Sequence, residues 1–350
     1  MVLGTNHAEA LSCILSKSPS SRTSRPASLS ATRRRLQVAS YAAVVALVLL
    51  ALRFGAREAL ASAVALAPNS DRARAMPGSL AMPVELVRLG AFTLETKVGP
   101  PSATLVSWVI EPRTAQFKGT VLLLHGVRMD KRSLTKVGVA LAADGYRAVL
   151  VDLRGHGESS GRYLTYGGVE VSDLSTLLDA LQTRDSKPGC TGVYGFSYGG
   201  AVALELGARD PRITAVVAVS SFSGLREVVN DYRKKYLPAA FSVIPSDWFQ
   251  GAVDEAGKMA AFDPDRIAPL RAVARSSAAL LLIHGSADTQ VPLRHSQDLF
   301  RAAAGNARLV TVAGAEHAEM PGDSTGQVRR ETLAWFDQWL GTAACRAIPR

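Results

Sequence analysis

Short runs of apolar residues, each bounded by Gly, Asp or His, recur through the C-terminal two thirds of this 350-residue chain. They occupy residues 121–124, 148–151, 192–194, 215–219 and 280–283. Runs of this length that are apolar throughout are typical of strands buried on both faces, as in a parallel sheet covered by helices. Helical patterns lie between them at Lys131–Ala143, Val169–Arg184 and Gly199–Ala208. The alternation predicts the α/β fold class, with a mostly parallel central sheet and helices on both faces.

A sharp turn is predicted where the third run ends, at residues 195–199, which read G-F-S-Y-G. This G-x-S-x-G motif stands between a strand and an Ala-rich helix, where larger flanking side chains than glycine would collide with the neighbouring backbone. The turn would raise Ser197 to the N-terminus of the helix, whose dipole and free N–H groups favour a developing anion. Ser197 is therefore the candidate nucleophile.

A serine nucleophile needs a general base and an orienting carboxylate, which follow such a turn in the order Ser, acid, His. Three histidines follow Ser197. His317, just beyond the strand pattern of residues 307–312, is the candidate base. His284 is expected to be a packed or hydrogen-bonded residue at a strand end, and His295 a solvated helix residue. Asp288 is the candidate acid, because it lies in the loop that closes a strongly apolar strand, where ligands bind in such sheets.

Two backbone N–H groups are the candidate donors to an oxyanion. One belongs to Tyr198, directly after the candidate nucleophile. The other is expected in the loop 125–128, where Val127 is our choice and Arg128 the alternative. His125 itself is predicted to be structural and to orient this loop through hydrogen bonds.

Four short motifs stand in order along the body of the chain. They are H-G-V-R at 125–128, D-L-R-G-H-G-E-S-S-G at 152–161, G-F-S-Y-G at 195–199 and H-G-S-A-D-T-Q-V-P at 284–292, followed by His317. In this order they resemble the α/β-hydrolase superfamily, over Leu105 to Leu340. The resemblance implies the α/β-hydrolase fold, with Ser197, Asp288 and His317 as a catalytic triad.

The pattern is similar to the serine aminopeptidase-like and prolyl-oligopeptidase-like subgroups, and to membrane-tethered lipid or thioester hydrolases of that fold. The H-G-G-G motif of hormone-sensitive-lipase-type esterases is absent from the sequence. In such enzymes the second motif is a structural turn beside the site. Arg154, His156 and Glu158 are therefore expected to be structural.

These residues predict a serine hydrolase that cleaves a carboxylic ester, thioester or amide through an acyl-enzyme. The acyl substrate would be a small molecule, a lipid or a peptidyl compound. Two alternatives remain: an acyltransferase or haloperoxidase-like enzyme that uses the same site, and a noncatalytic binding protein on the same fold. The predicted mechanism needs no cofactor and no metal, and the three cysteines lack the spacing of a zinc site.

The segment 222–276 interrupts the alternation of strands and helices before the strand that leads to the candidate acid. It contains a set of aromatic residues: Tyr232, Tyr236, Phe241, Trp248 and Phe249. In the superfamily an insertion at this point resembles a lid over the acyl pocket. The alternative is that these aromatic residues pack a pair of helices onto the sheet.

The formal charge of +10 is concentrated near the N-terminus. Residues 1–75 contain ten Lys and Arg against three acidic residues and so account for +7 of it. The remaining chain is nearly balanced, so we expect no nucleic-acid partner. Residues 1–35, rich in Ser, Arg and Ala, are predicted to be a disordered basic tail.

An apolar run at residues 36–53, flanked by arginines, predicts one transmembrane signal-anchor helix. The positive-inside rule would place the N-terminus in the cytoplasm and the catalytic domain outside it. Alternatives are a cleaved signal peptide with a secreted product, a transit peptide or a buried amphipathic helix. Residues 54–83 are predicted to be a linker, and residues 84–343 the α/β-hydrolase domain. The sequence predicts no oligomeric state.

Overall fold

The structure, a computed structural model, divides the chain into two compact units, Met1–Phe54 and Gly55–Arg350. The residues that it describes are 39–40, 43–44, 55–69, 81–114, 116–184, 189–236, 244–322 and 324–341. The predicted tail 1–35 lies outside them, and so does the predicted anchor 36–53 except for residues 39, 40, 43 and 44. Within these ranges no helix is both long and apolar enough to cross a membrane.

An eight-stranded sheet forms the centre of the second unit. Its strands are β1 Phe92–Val98, β2 Ala103–Ile110, β3 Gly119–Leu124, β4 Tyr146–Asp152, β5 Thr191–Phe196, β6 Ile213–Val219, β7 Ala279–Gly285 and β8 Ala307–Val312. The spatial order is β1-β2-β4-β3-β5-β6-β7-β8. Strand β2 is antiparallel to β1 and β4, and all other neighbours are parallel. The predicted mostly parallel sheet is confirmed, and the apolar runs form β3 to β7.

Helices cover both faces of this sheet. They are α1 (residues 55–65), α2 Val84–Arg88, α3 Thr135–Ala143, α4 Glu170–Arg184, α5 Tyr198–Arg209, α6 Leu225–Tyr236, α7 Ser246–Ala260, α8 Pro269–Val273, α9 Arg294–Ala302 and α10 Gln327–Leu340. Helices α3 and α10 pack on one face, and α4, α5 and α9 pack on the other. Alternate residues of β3 enter the two cores, Leu122 on one side and Leu123 on the other. This two-sided burial explains why the strand sequences are apolar throughout.

Part of the segment 54–83 that was predicted as a linker is a packed helix. Ala61 and Ala65 of α1 are fully buried against Ala256 and Ala260 of α7. Small side chains on both helices let their backbones approach closely. The second compact unit begins at residue 55, whereas the sequence predicted that the hydrolase domain begins at residue 84.

Candidate active site

The turn that carries Ser197 joins β5 to α5. Ser197 has φ +54° and ψ −114°, a conformation that costs a non-glycine residue about 1–3 kcal/mol. A Cβ on Gly195 would lie 2.1 Å from the Gly199 carbonyl oxygen, and a Cβ on Gly199 2.3 Å from that of Leu124. The Ser197 N–H donates to the Val219 carbonyl at 2.8 Å. The turn therefore requires glycine at both flanking positions, as the motif predicted.

The His317 ring lies beside this serine. It begins a short 3-10 turn, His317–Glu319, in the loop after β8. Its Nε2 is 3.0 Å from Ser197 Oγ, and its Nδ1 is 2.6 Å from Asp288 Oδ2. Because a carboxylate only accepts hydrogen bonds, Nδ1 carries the proton and Nε2 presents its lone pair to the serine hydroxyl. The Phe196 ring packs against the imidazole, with centroids 5.0 Å apart.

The Asp288 carboxylate is held by its own loop after β7. Its Oδ1 accepts hydrogen bonds from the N–H groups of Gln290 at 3.0 Å and Val291 at 2.8 Å. Burial raises the pKa of Asp288, but the His284 and His317 rings and the Val291 N–H outweigh burial and hold this pKa well below its ordinary value. The carboxylate is therefore ionised at neutral pH.

The three residues predicted from the motifs thus meet in one hydrogen-bonded row. Ser197, Asp288 and His317 follow β5, β7 and β8, three strands whose carboxyl ends share one edge of the sheet. All three side chains are buried. A row of this kind can remove a proton from a hydroxyl and stabilise the imidazolium that results.

The two predicted oxyanion donors lie on adjacent strand ends. Leu124 of β3 pairs with Gly195 of β5, so the loop 125–128 runs beside the serine turn. In the part of the chain that the structure describes, neither the Val127 N–H nor the Tyr198 N–H donates a hydrogen bond. Both are therefore available to an oxyanion, and their assignment stays a prediction.

His125 orients this loop, as predicted. Its Nε2 accepts a hydrogen bond from the Leu153 N–H at 3.1 Å, so its Nδ1 donates to the Gly126 carbonyl at 2.8 Å. Burial lowers the pKa of His125 to about 4, and the ring is neutral at pH 7. It packs edge-on against His156, with centroids 4.8 Å apart.

The side chain of Tyr198 anchors the start of α5. Its hydroxyl donates to Glu170 Oε1 at 3.0 Å. The same buried carboxylate also accepts from the backbone N–H groups of Thr165 at 2.8 Å and Gly167 at 2.9 Å. Burial, together with the adjacent Glu170, raises the pKa of Tyr198 well above its ordinary value. Tyr198, the residue after Ser197, is thereby fixed by its side chain as well as its backbone.

The second motif supplies structural contacts beside the site, as expected. Asp152 accepts hydrogen bonds from Lys131 Nζ at 2.5 Å and from the Glu158 N–H at 2.7 Å. Arg154 forms a bidentate ion pair with Asp173, both bonds being 2.7 Å.

Among the described residues, no group of three or more His, Cys, Asp or Glu side chains is arranged to hold a metal ion.

His295 corrects the sequence analysis, because it is fully buried and not on a solvated helix face. Its Nε2 is 2.8 Å from Asp231 Oδ2, and its Nδ1 is 2.8 Å from Ser223 Oγ. Burial lowers the pKa of His295. The residue lies four positions before the buried Leu299 on the same face of α9, and this spacing was the signal that sequence reasoning missed.

The insertion 222–276 packs through an apolar cluster over α5 and over the loop after β7 that carries Asp288 (the acid loop). Its members are Ala201, Phe222, Leu225, Val228, Val253, Ile267 and Val291. Arg226 of α6 binds Asp254 and Asp265, each at 2.7 Å, and Lys235 binds the Thr289 hydroxyl at 2.6 Å. The insertion therefore contacts the loop that carries Asp288. Of its predicted aromatic residues, Phe249 is buried, Tyr236 is exposed and Phe241 lies outside the described residues.

Comparison with protein families agrees with this architecture. The model of the alpha/beta hydrolase family matches residues 121–330. The chain belongs to the alpha/beta hydrolase family. It is 24% identical to YqkD of Bacillus subtilis over 203 residues, 57% of this chain and 65% of that protein. It is 28% identical to YfhR of Escherichia coli over 220 residues, 62% of this hydrolase and 69% of that protein.

Solved structures share the fold of this hydrolase. The esterase Pf2001 of Pyrococcus furiosus superposes with a TM-score of 0.60 at 22% identity, over 75% of this chain and 97% of the esterase. The esterase EaEST of Exiguobacterium antarcticum gives a TM-score of 0.52 at 16% identity, over 70% of this chain and all of that one. At these identities the likeness shows the fold alone.

Proposed function

We propose that this α/β hydrolase is a serine hydrolase that cleaves a carboxylic ester, thioester or amide through an acyl-enzyme intermediate. The observation that carries the proposal is the row from Ser197 Oγ to His317 Nε2 at 3.0 Å and from His317 Nδ1 to Asp288 Oδ2 at 2.6 Å. These are the distances at which a base takes a proton from a hydroxyl and a carboxylate orients the base.

In the proposed reaction, Ser197 Oγ attacks the acyl carbon while His317 Nε2 accepts the hydroxyl proton. The N–H groups of Val127 and Tyr198 hold the oxyanion of the tetrahedral intermediate. His317 then gives the proton to the leaving group, and the acyl group stays on the serine. Water, deprotonated by the same imidazole, releases the acid and restores Ser197. Asp288 stabilises the imidazolium in both halves of the cycle.

The substrate class is proposed as a small-molecule, lipid or peptidyl acyl compound. Support for an ester comes from the superposed proteins whose names call them esterases. Turnover of p-nitrophenyl esters of increasing chain length, measured beside aminoacyl amides, tests the class. Preference for long chains favours a lipid or thioester substrate, whereas turnover of amides favours a peptidase.

A fluorophosphonate probe tests the nucleophile. We expect it to label the folded wild type at Ser197 and to leave the Ser197→Ala variant unlabelled. Ser223→Ala is the matched control, because the Ser223 hydroxyl is also buried and bound to a histidine that contacts an aspartate. Labelling should persist in this control. Absence of labelling in a folded, wild-type sample would overturn the proposed mechanism.

We also propose that the catalytic unit acts outside the cytoplasm, anchored through residues 36–53. Support comes from the basic, apolar N-terminal sequence and from Cys190, which is disulfide-bonded. Disulfides persist in oxidising compartments. In sealed membrane vesicles of known sidedness, protease added to the non-cytoplasmic side should digest the catalytic unit. A full-length chain that stays in the soluble cytosolic fraction would contradict this placement.

A further inference from the structure

His284, near the end of β7, is fully buried beside the acid loop. Its Nδ1 is 2.7 Å from Ser296 Oγ, and its Nε2 is 2.7 Å from the Val291 carbonyl oxygen. The same Nε2 is 3.4 Å from Asp288 Oδ2. No step of the proposed reaction uses this ring.

The contacts of His284 place a proton on Nε2. A carbonyl oxygen can only accept a hydrogen bond, so the Nε2 that lies beside the Val291 oxygen carries the proton. Nδ1 is hydrogen-bonded to the Ser296 hydroxyl. The Nε2–H is thus directed at the loop that carries Asp288.

Val291 connects this N–H to the carboxylate. Its carbonyl accepts from His284, and its own N–H donates to Asp288 Oδ1 at 2.8 Å. His284 therefore fixes the residue that fixes one carboxylate oxygen. Its N–H also lies near the other oxygen, Oδ2, which accepts from His317.

The other charged and titratable groups facing this loop from α6 and α9 have their own partners. Lys235 binds the Thr289 hydroxyl, Tyr232 binds the Gln290 side chain, and His295 with Arg294 binds Asp231. Within the described ranges, the side chains that lie within 4 Å of the Asp288 carboxylate as possible cationic partners are those of His284 and His317.

We propose that His284 is a positioning residue, which holds the Asp288 carboxylate in the orientation that the His317 imidazole requires. The inference rests on the proposed function, because it assigns His284 a task only if the row from Ser197 to Asp288 is catalytic. Both ring nitrogens of His284 are hydrogen-bonded, and the Nε2–H is directed at the residue whose own N–H binds the carboxylate.

Three variants separate positioning from packing. His284→Leu removes the N–H, His284→Gln keeps an amide N–H near the position of Nε2, and Ser296→Ala removes the hydroxyl that is hydrogen-bonded to Nδ1. His156→Leu is the matched control, since His156 is also fully buried but lies outside the acid loop. Thermal unfolding of each variant establishes the folded fraction.

The readouts are kcat, KM, the pH profile of kcat/KM and the most downfield proton resonance, from the hydrogen bond between His317 and Asp288. For His284→Leu we expect kcat to fall about 10- to 100-fold, as for small misplacement of a catalytic group, with KM within about twofold. The acid limb of kcat/KM should move to higher pH, because a carboxylate relieved of one N–H stabilises the protonated base more. The downfield resonance should shift or broaden.

His284→Gln should restore most of kcat and return the acid limb to its wild-type position. Ser296→Ala should lower kcat about three- to fivefold, the value of one hydrogen bond. The control His156→Leu should lower thermal stability and leave the acid limb in place. If His284→Leu fails to fold, the other two variants still carry the test.

A purely structural His284 would give a different set of results. The acid limb and the downfield resonance would stay unchanged in His284→Leu and Ser296→Ala, whatever the loss of stability, and the inference would be overturned. Failure of the proposed function would give a different result from failure of this inference. The fluorophosphonate would then not label the wild type, and the Ser197→Ala variant would keep its activity.

Discussion

The carboxyl ends of the strands, which carry Ser197, Asp288 and His317 and are called the sheet edge below, are held in place differently from the insertion 222–276. At the edge, Ser197 is fixed by a turn that tolerates only glycine flanks, and Asp288 by two backbone N–H groups. The insertion is attached by side chains, through the hydrogen bond of Lys235 to Thr289, the contact of Asp231 with His295 and alanine packing between α1 and α7.

This difference in attachment distinguishes the part of the molecule that is proposed to perform the reaction from the part that is proposed to select the substrate. Backbone geometry leaves the proposed reacting groups little freedom, which suits groups that must meet within a few tenths of an ångström. Exposed side-chain contacts, such as that of Lys235 with Thr289, are individually weak and can be rearranged. We therefore expect changes at the sheet edge to abolish turnover and changes in the insertion to alter mainly substrate preference.

The largest expected effect is that of Asp288→Asn. The amide cannot favour the tautomer that presents the Nε2 lone pair of His317 to Ser197, so kcat should fall about 10⁴-fold. A chromogenic ester assay measures the loss. Asp298→Asn is the control, an aspartate of α9 paired with Arg301, and should change kcat less than about twofold. A loss below tenfold in Asp288→Asn would contradict the proposed role.

Gly199→Ala should come next. Its Cβ would lie 2.3 Å from the Leu124 carbonyl and 2.6 Å from that of His125, so the backbone of the turn must move. We expect a loss of about 3 kcal/mol or more in the free energy of unfolding, and no detectable fluorophosphonate labelling. Gly55→Ala, in α1 with open space around it, is the control. Unchanged stability in Gly199→Ala would refute the tight packing of the turn.

Acid should destabilise the sheet edge through its buried histidines. Burial lowers the pKa of His125 to about 4 and that of His156 to about 3, against 6.5 in the unfolded chain. Below pH 6.5 the unfolded state takes up protons that the folded state does not, so stability falls as pH drops towards these values. By pH 5 each histidine should cost about 2 kcal/mol.

Urea unfolding at pH 7.5, 6 and 5 measures this loss. The His156→Asn variant removes one titrating ring and should lose about 2 kcal/mol less than wild type over the same range. An identical loss in both proteins would show that the titration of His156 does not contribute.

The smallest effect is expected for Arg226→Met in the insertion. The variant removes half-exposed ion pairs to Asp254 and Asp265, which should cost about 1 kcal/mol. For a short-chain ester kcat should stay within about twofold, while KM for a long-chain ester changes more. Arg301→Met removes an exposed ion pair of α9 as the control. If Arg226→Met abolished turnover of the short ester, the insertion would be required for the reaction itself, and the proposed distinction between the sheet edge and the insertion would be wrong.

The sequence predicted features that local chemistry determines. The apolar runs are typical of strands buried on both faces, and the glycines at 195 and 199 are typical of a sharp turn around Ser197. The order of Asp288 and His317 then followed from the arrangement that such a turn requires.

Features that depend on tertiary contacts were not predicted. Strand β1 was not predicted, because this outermost strand of the sheet carries polar residues such as Glu95 and Lys97. The helix at residues 55–65 has an alanine-rich sequence that resembles a linker until α7 is in place to bury it. His295 was wrongly predicted to be solvated, because its spacing from Leu299 was overlooked and its partner Asp231 lies on α6, far away in the sequence.

The most direct test of the account is the capture of the acyl-enzyme. A p-nitrophenyl ester is mixed with the enzyme, quenched within the first turnovers, and the intact protein and its peptides are weighed by mass spectrometry. We predict one acyl group per chain, on Ser197, together with a burst of p-nitrophenol of equal size. Steady turnover with no adduct, or an adduct on another residue such as Ser223, would contradict the central claim.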